Sequence, residues 1–238
     1  IILTGLLGFI LERTFLRPMV GEPVFSVAVL TIGIDILLRV VLDNWIGINP
    51  KYMGDPFPSY GNFGSLDIGG LTVKYLEVTA LITSLVLISI LSVFFKRSKY
   101  GVAMRATSLD QEAALAQGIN VGRVFGLVWF IAGLLAAFAG FFITGGFNTL
   151  TNTSFISALR ALPAVVIGGL DSITGAIIGS LIIGLTQAYV GYYQFDIESA
   201  YNIKLGNGFS IVAPYLIMFV ILLVKPHGLF GTEEVERV

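Results

Sequence analysis

The sequence predicts an all-α, polytopic transmembrane helix bundle with about six to seven segments present. Three observations predict it. First, 55% of the 238 residues are hydrophobic and only 12% are charged, against roughly 25% charged in a soluble domain. Second, the charges are gathered, and residues 78–95, 124–159, 172–195 and 205–224 hold none. Stretches of that size approach or exceed the ~20 helical residues that cross a hydrocarbon core of about 30 Å. Third, the apolar runs are unbroken, where the strands of a membrane β-barrel would alternate. An ordinary soluble enzyme, a disordered chain and a nucleic-acid binder are excluded on the same grounds. The chain has no cysteine, and its one histidine is His227, so disulfides, thiolate nucleophiles and a His-rich metal site are not expected.

The elements follow in order along one transmembrane domain, 1–238. The chain opens on Ile1 within an apolar run, and the expectation is that N-terminal spans precede it. Residues 1–11 read as the last half of a helix. Glu12, Arg13, Arg17, Pro18, Glu22 and Pro23 form a polar connection with a proline-enforced break. Residues 25–42 form a span carrying Asp35 and Arg39. Residues 43–74 form a long loop rich in Gly, Pro, Asp and Asn, and Leu66 to Val73 alternate weakly enough to suggest a hairpin. Residues 75–95 form the next span. The polar stretch 96–123 follows, with a helix expected over 109–117: Asp110 and Glu112 suit its N-terminus, and Gly118 suits its stop. Spans are expected at 124–143 and 209–224. The segments 154–169 and 172–191 are separated by a GGLDS turn, Gly168 to Ser172.

Basic residues set the orientation. The 96–123 connection holds Lys96, Arg97, Lys99, Arg105 and Arg123, and the 12–24 connection holds Arg13 and Arg17. Loop 43–74 holds only Lys51 and Lys74, against Asp43, Asp55 and Asp67. The expectation is therefore that 12–24 and 96–123 are cytoplasmic and 43–74 is external. Loop 43–74 also carries Trp45, Tyr52, Phe57 and Tyr60, an aromatic-polar surface that suits either partner docking or self-packing.

Three groups of residues are candidates for function. In 100–123, Ala106, Ala113, Ala114, Ala116 and Gly118 supply small sides beside Arg105, Asp110, Glu112 and Arg123. That pattern fits a rigid helix seated on another protein, and it equally fits a solvated surface helix. In the second group, Gly168, Gly169, Gly175, Gly179 and Gly184 give small-xxx-small faces that allow close helix approach. With Asp171 and Ser172 they form either a packed turn or a hinge and cavity wall. Third, Asp35 and Arg39 lie one helical turn apart. Charges within a span are expensive, so the pair is either a structural ion pair facing protein or part of a path.

The run YGVAMRATSLDQEAALAQGINVGR resembles the coupling region of LivH-type permeases from branched-chain amino acid ABC importers, matching at Gly101, Arg105, Ala106, Asp110, Ala113, Ala114, Gly118, Ile119, Asn120 and Arg123. AVVIGGLDSITGAIIGSLIIG, from Ala164 to Gly184, and the C-terminal KPHGLFG are similar to two further blocks of that family. Lys225 replaces the family's usual arginine. The resemblance implies a permease subunit in a bacterial-type cytoplasmic membrane, with Gly101 to Arg123 meeting the ATPase. It implies two ATPase subunits, a second permease subunit, and an extracellular or periplasmic substrate-binding protein, all working in a lipid bilayer. No phosphate-binding G-x-x-x-x-G-K-[ST] loop occurs, so no cofactor is expected on this chain, and ATP and Mg belong to the partners. Urea, short amides or sugars are alternative cargoes. A stand-alone secondary transporter or channel is the alternative of another class, with Asp35 as its one clear intramembrane carboxylate.

Overall fold

The computed structural model describes residues 1–20, 22–52, 65–68, 71–147, 149–150, 156–159, 161–169, 172–202, 204, 206 and 208–231. Two compact units form, Ile1–Ser154 and Phe155–Val238.

In the first unit, α1 (Ile2–Leu11) lies along α6 (Val121–Phe147). Glycines bring the two backbones together: a Cβ added at Gly8 would fall on the Trp129 carbonyl, and one at Gly133 on the Thr4 carbonyl. Apolar helices in lipid gain little from hydrophobic burial against each other, so close van der Waals approach through small residues holds them. The helix does not end at residue 11, and the proline-enforced break falls at Val20 and Pro23, whose backbones are extended. The chain continues as a π-helix, Glu12–Leu16, and a 3-10 turn, Arg17–Met19. The Arg17 amide reaches back to the Glu12 carbonyl, and Pro18 is tolerated because it stands in the first turn of the next element.

Helix α2 (Val24–Ile46) runs past the expected end at residue 42, stopping at Gly47, whose N–H donates to the Asp43 carbonyl at 2.8 Å. Strand β1 (Lys51–Tyr52) pairs antiparallel with β4 (Thr149–Leu150), in the register Lys51↔Leu150 and Tyr52↔Thr149. The expected hairpin is present as β2 (Ser65–Ile68) and β3 (Leu71–Lys74). The rest of the aromatic loop, including Phe57 and Tyr60, lies outside the described residues. Helix α3 (Tyr75–Arg97) leads into α4 (Lys99–Leu109) and α5 (Gln111–Ala116).

The second unit contains α7 (Ile156–Leu159), α8 (Ala161–Gly168), α9 (Ile173–Tyr201) and α10 (Phe209–Val224). Ala164, Ile167 and Ile183 form its core, with Ile217, Ile221 and Leu229 packed around them. The apolar segment expected at 154–169 holds two short helices, α7 and α8. At 1.5 Å per residue α8 is only about 12 Å long, a length tolerated at membrane depth when protein covers it. In contrast, α9 outruns its expected end at 191 by ten residues. Buried Gln194 explains the extension, since its Nε2 donates to Glu198 Oε1 at 2.9 Å and to the Gly206 carbonyl at 2.6 Å. Asn202, left-handed at φ 50°, then ends the helix.

Among the described residues, four helical stretches are long and apolar enough to cross a membrane: Phe25–Ile46, Tyr75–Arg97, Val121–Gly146 and Ile173–Tyr201. None of the apolar window in α3 is buried. Leu81, Leu85 and Ile90 all face outward, which suits helices solvated by lipid and not by water. The protein is a multi-pass helical membrane protein.

Candidate functional site

The polar stretch 96–123 holds the helix expected at 109–117, as α5, preceded by a second capped helix, α4, and followed by the capped start of α6. Ser98 caps α4, its Oγ accepting from the Gly101 N–H at 2.9 Å. Asp110 separates α4 from α5 because its backbone is extended, at φ −158° and ψ 113°. Its carboxylate then accepts from the Ala113 N–H at 2.9 Å. Asp110 is thus the cap of α5 rather than a member of its first turn, and Glu112 supplies the first-turn acid. Both acids favour the positive end of the helix. Gly118 turns the chain at φ +80°, a conformation that strains any residue with a Cβ. Asn120 caps α6, its Oδ1 accepting from the Arg123 N–H at 3.0 Å.

The candidate side chains do not share one surface. Glu112, Ala113 and Arg123 are exposed, Ala106 and Ile119 are half-buried, and Gly101 is buried. Ala114 is only 3% exposed. The expectation that Ala113 and Ala114 both present a small outer face therefore needs correction. In a one-and-a-half-turn helix, adjacent residues point about 100° apart, so Ala113 faces out and Ala114 faces the chain's own interior. Arg105 is exposed yet folds back, its guanidinium donating to the Phe95 carbonyl.

Two residues in the preceding connection belong with this stretch. Glu12 is 1% exposed, with Oε1 at 3.4 Å from Arg17 Nε. Arg17 in turn donates from Nη2 to the Gly122 carbonyl at 2.7 Å, tying the π-helix to the start of α6. The sequence signal is an i,i+5 spacing of opposite charges. That spacing separates them on an α-helix and brings them together on a π-turn.

The Gly-rich block is a packed backbone crossing. Cβ atoms at Gly168 and Gly175 would each collide with the other's backbone, and one at Gly179 with the Ala164 carbonyl. Gly169 holds φ +103°. Ser172 caps α9, accepting from the Gly175 N–H at 3.0 Å, while Asp171 lies outside the described residues. The C-terminal KPHGLFG pairs with this block. The N–H groups of Leu229 and Phe230 donate to the carbonyls of Ile167 and Gly168 at 2.8 and 3.1 Å. Helix-end carbonyls of α8 are thereby satisfied.

Asp35 and Arg39 do pair, with Arg39 Nη2 at 2.7 Å from Asp35 Oδ2. The Asp35 side chain is 57% exposed on this chain. No group of three or more metal-ligating side chains occurs among the described residues.

Residues 1–224 match the family model described as branched-chain amino acid transport system / permease component. The permease BraD of Pseudomonas aeruginosa, from a high-affinity branched-chain amino acid transport system, is 27% identical over all of this chain and 74% of its own length. LivH of Salmonella typhimurium, named for the same kind of system, is 30% identical over all of this chain and 74% of its own. MglC of Haemophilus influenzae, a galactose/methyl galactoside import permease, is 30% identical over 58% of this chain and 44% of its own. No solved structure matches the chain. With the multi-pass fold and the capped polar helices in place, this full-length match is decisive: the chain belongs to the family of permease components of branched-chain amino acid transport systems.

Proposed function

We propose that this chain carries branched-chain amino acids inward as a permease subunit of an ATP-driven importer in a bacterial-type cytoplasmic membrane. The observation that carries the reading is α5: a short, acid-capped helix outside the apolar spans, turned by Gly118 directly into α6. Its outward residues Glu112 and Ala113, with Arg123 beyond the turn, form the surface offered to an ATPase. Asp110, Ala114, Gly101 and Gly118 position that surface, and Arg105, Ala106 and Ile119 brace it. Two ATPase subunits hold ATP and Mg, a second permease chain completes the passage, and a binding protein delivers cargo from outside. The two units act together as one permease domain. Gly168, Gly169, Ser172 and Gly175 serve as a hinge between short α8 and long α9. Asp35, exposed in mid-span, and Arg39, half-buried beside it, face the passage or the second permease, since lipid opposes each charge by about 2.5–3.5 kcal/mol at a helix centre.

The likeness to a galactose permease covers 58% of this chain, whereas the branched-chain relatives cover all of it, which supports amino acids over sugars as cargo. Reconstitution of the permease with its ATPases and binding protein tests the reading. Leucine uptake should require ATP and all components. Uptake without the ATPases, or uptake of galactose and not leucine, would refute it.

A further inference from the structure

Beside the Glu12 π-turn the first unit holds a cavity of about 430 Å³, walled by the π-helix segment, α2, α6 and Gln111 of α5. Its apolar wall includes Ala28, Phe125 and Trp129, and its polar groups are Glu12, Glu22, Thr31 and Gln111. These polar groups are mostly acceptors. Two are carboxylates, and the Thr31 hydroxyl already donates to the Ala28 carbonyl at 2.8 Å, leaving its lone pairs. Glu12 is the unsatisfied member. Its Oε2 is buried and has no hydrogen-bond partner, while Oε1 has only the long 3.4 Å contact from Arg17. A buried carboxylate oxygen without a donor is costly.

The geometry points to this cavity as a binding site for a compact organic ammonium on an aliphatic body. Carboxylates in the wall reject an anion. Hard metal cations require a shell of six or more oxygens at close range, which a largely apolar wall does not supply. An ammonium brings three donors and no acceptor, which complements Glu12, Glu22 and Thr31. Its alkyl body fits against Ala28, Phe125 and Trp129, whose rings also attract a cation. On occupancy the Glu12 carboxylate turns toward the cavity and exchanges the weak Arg17 contact for the ammonium. Gln111 stands one residue beyond the Asp110 cap, so an occupant also touches the base of α5. Neither the cargo nor the ATPase assignment is needed for this inference. The ammonium has two sources, a free aliphatic amino acid or amine and the ethanolamine headgroup of a lipid.

The test uses the full-length permease in its purified complex, in nanodiscs made with and without phosphatidylethanolamine. Binding of isoamylamine, leucine and isocaproate is measured by calorimetry without the binding protein. Isoamylamine should bind, isocaproate should not, and Glu12→Gln should weaken the amine at least tenfold. Ala28→Leu, which fills the cavity and leaves every charge in place, should weaken it comparably. Competition by phosphatidylethanolamine alone assigns the site to the lipid, and competition by leucine assigns it to the free amino acid. Equal binding of amine and acid, or amine binding indifferent to both variants in complexes that elute as intact assemblies, would overturn the proposal.

Discussion

Ala113 and Ala114 are neighbours of identical chemistry with opposite surroundings, one exposed and one 3% exposed. A large side chain at Ala114 overpacks an interior site, at a cost of about 1–3 kcal/mol. The same side chain at Ala113 meets only what lies outside the chain. Ala114→Trp should therefore lower the amount of folded permease in membranes, read by detergent-solubilised fluorescence size-exclusion. Ala113→Trp should leave that yield within about twofold but abolish co-purification of the ATPases and ATP-driven uptake. Loss of yield in both variants, or normal association in Ala113→Trp, would show that this face of α5 is not the docking surface. Sequence supplied the small residues but not their direction. The helix phase depends on where α5 starts, and that is set by the extended backbone of Asp110.

Among the elements, α2 places a charged pair at the middle of an apolar span. Either single change alters the charge balance within an apolar span, so Asp35→Asn and Arg39→Gln should each reduce membrane-inserted permease several-fold. The double variant should recover insertion, measured by immunoblot of washed membranes. If the double variant also recovers leucine uptake, the pair is structural. If insertion returns and uptake does not, the pair acts in the passage. The spacing of this pair was legible because i,i+4 neighbours meet on an α-helix. The i,i+5 spacing of Glu12 and Arg17 is visible too, but it reads as separation on an α-helix, and no periodicity signals the π-turn that brings them together. Span existence was readable from charge-free runs, and the limits of α10 coincide with the expected 209–224. The end of α8 at Gly168 falls where the GGLDS turn placed it. The far end of α9 was not readable, because it is fixed by the buried Gln194 side chain and its distant partner Gly206, a tertiary event that leaves no local pattern.

On the scale of the whole molecule, the cysteine-free sequence makes orientation directly measurable. Single cysteines at Ser59 and Ser108 should react with an impermeant external maleimide at position 59 and not at 108. The reverse pattern would invert the topology and move α5 away from any cytoplasmic ATPase. That orientation gives new meaning to the two-residue ladder between β1 and β4. The ladder stitches the loop after α2 to the far end of α6, and the near end of α6 emerges from the Gly118 turn behind α5. Helix α6 is 27 residues long, a rod of about 40 Å. So short a ladder is only marginally stable by itself, and it ties the loop after α2 to the end of that rod by a contact that a small free-energy change can break.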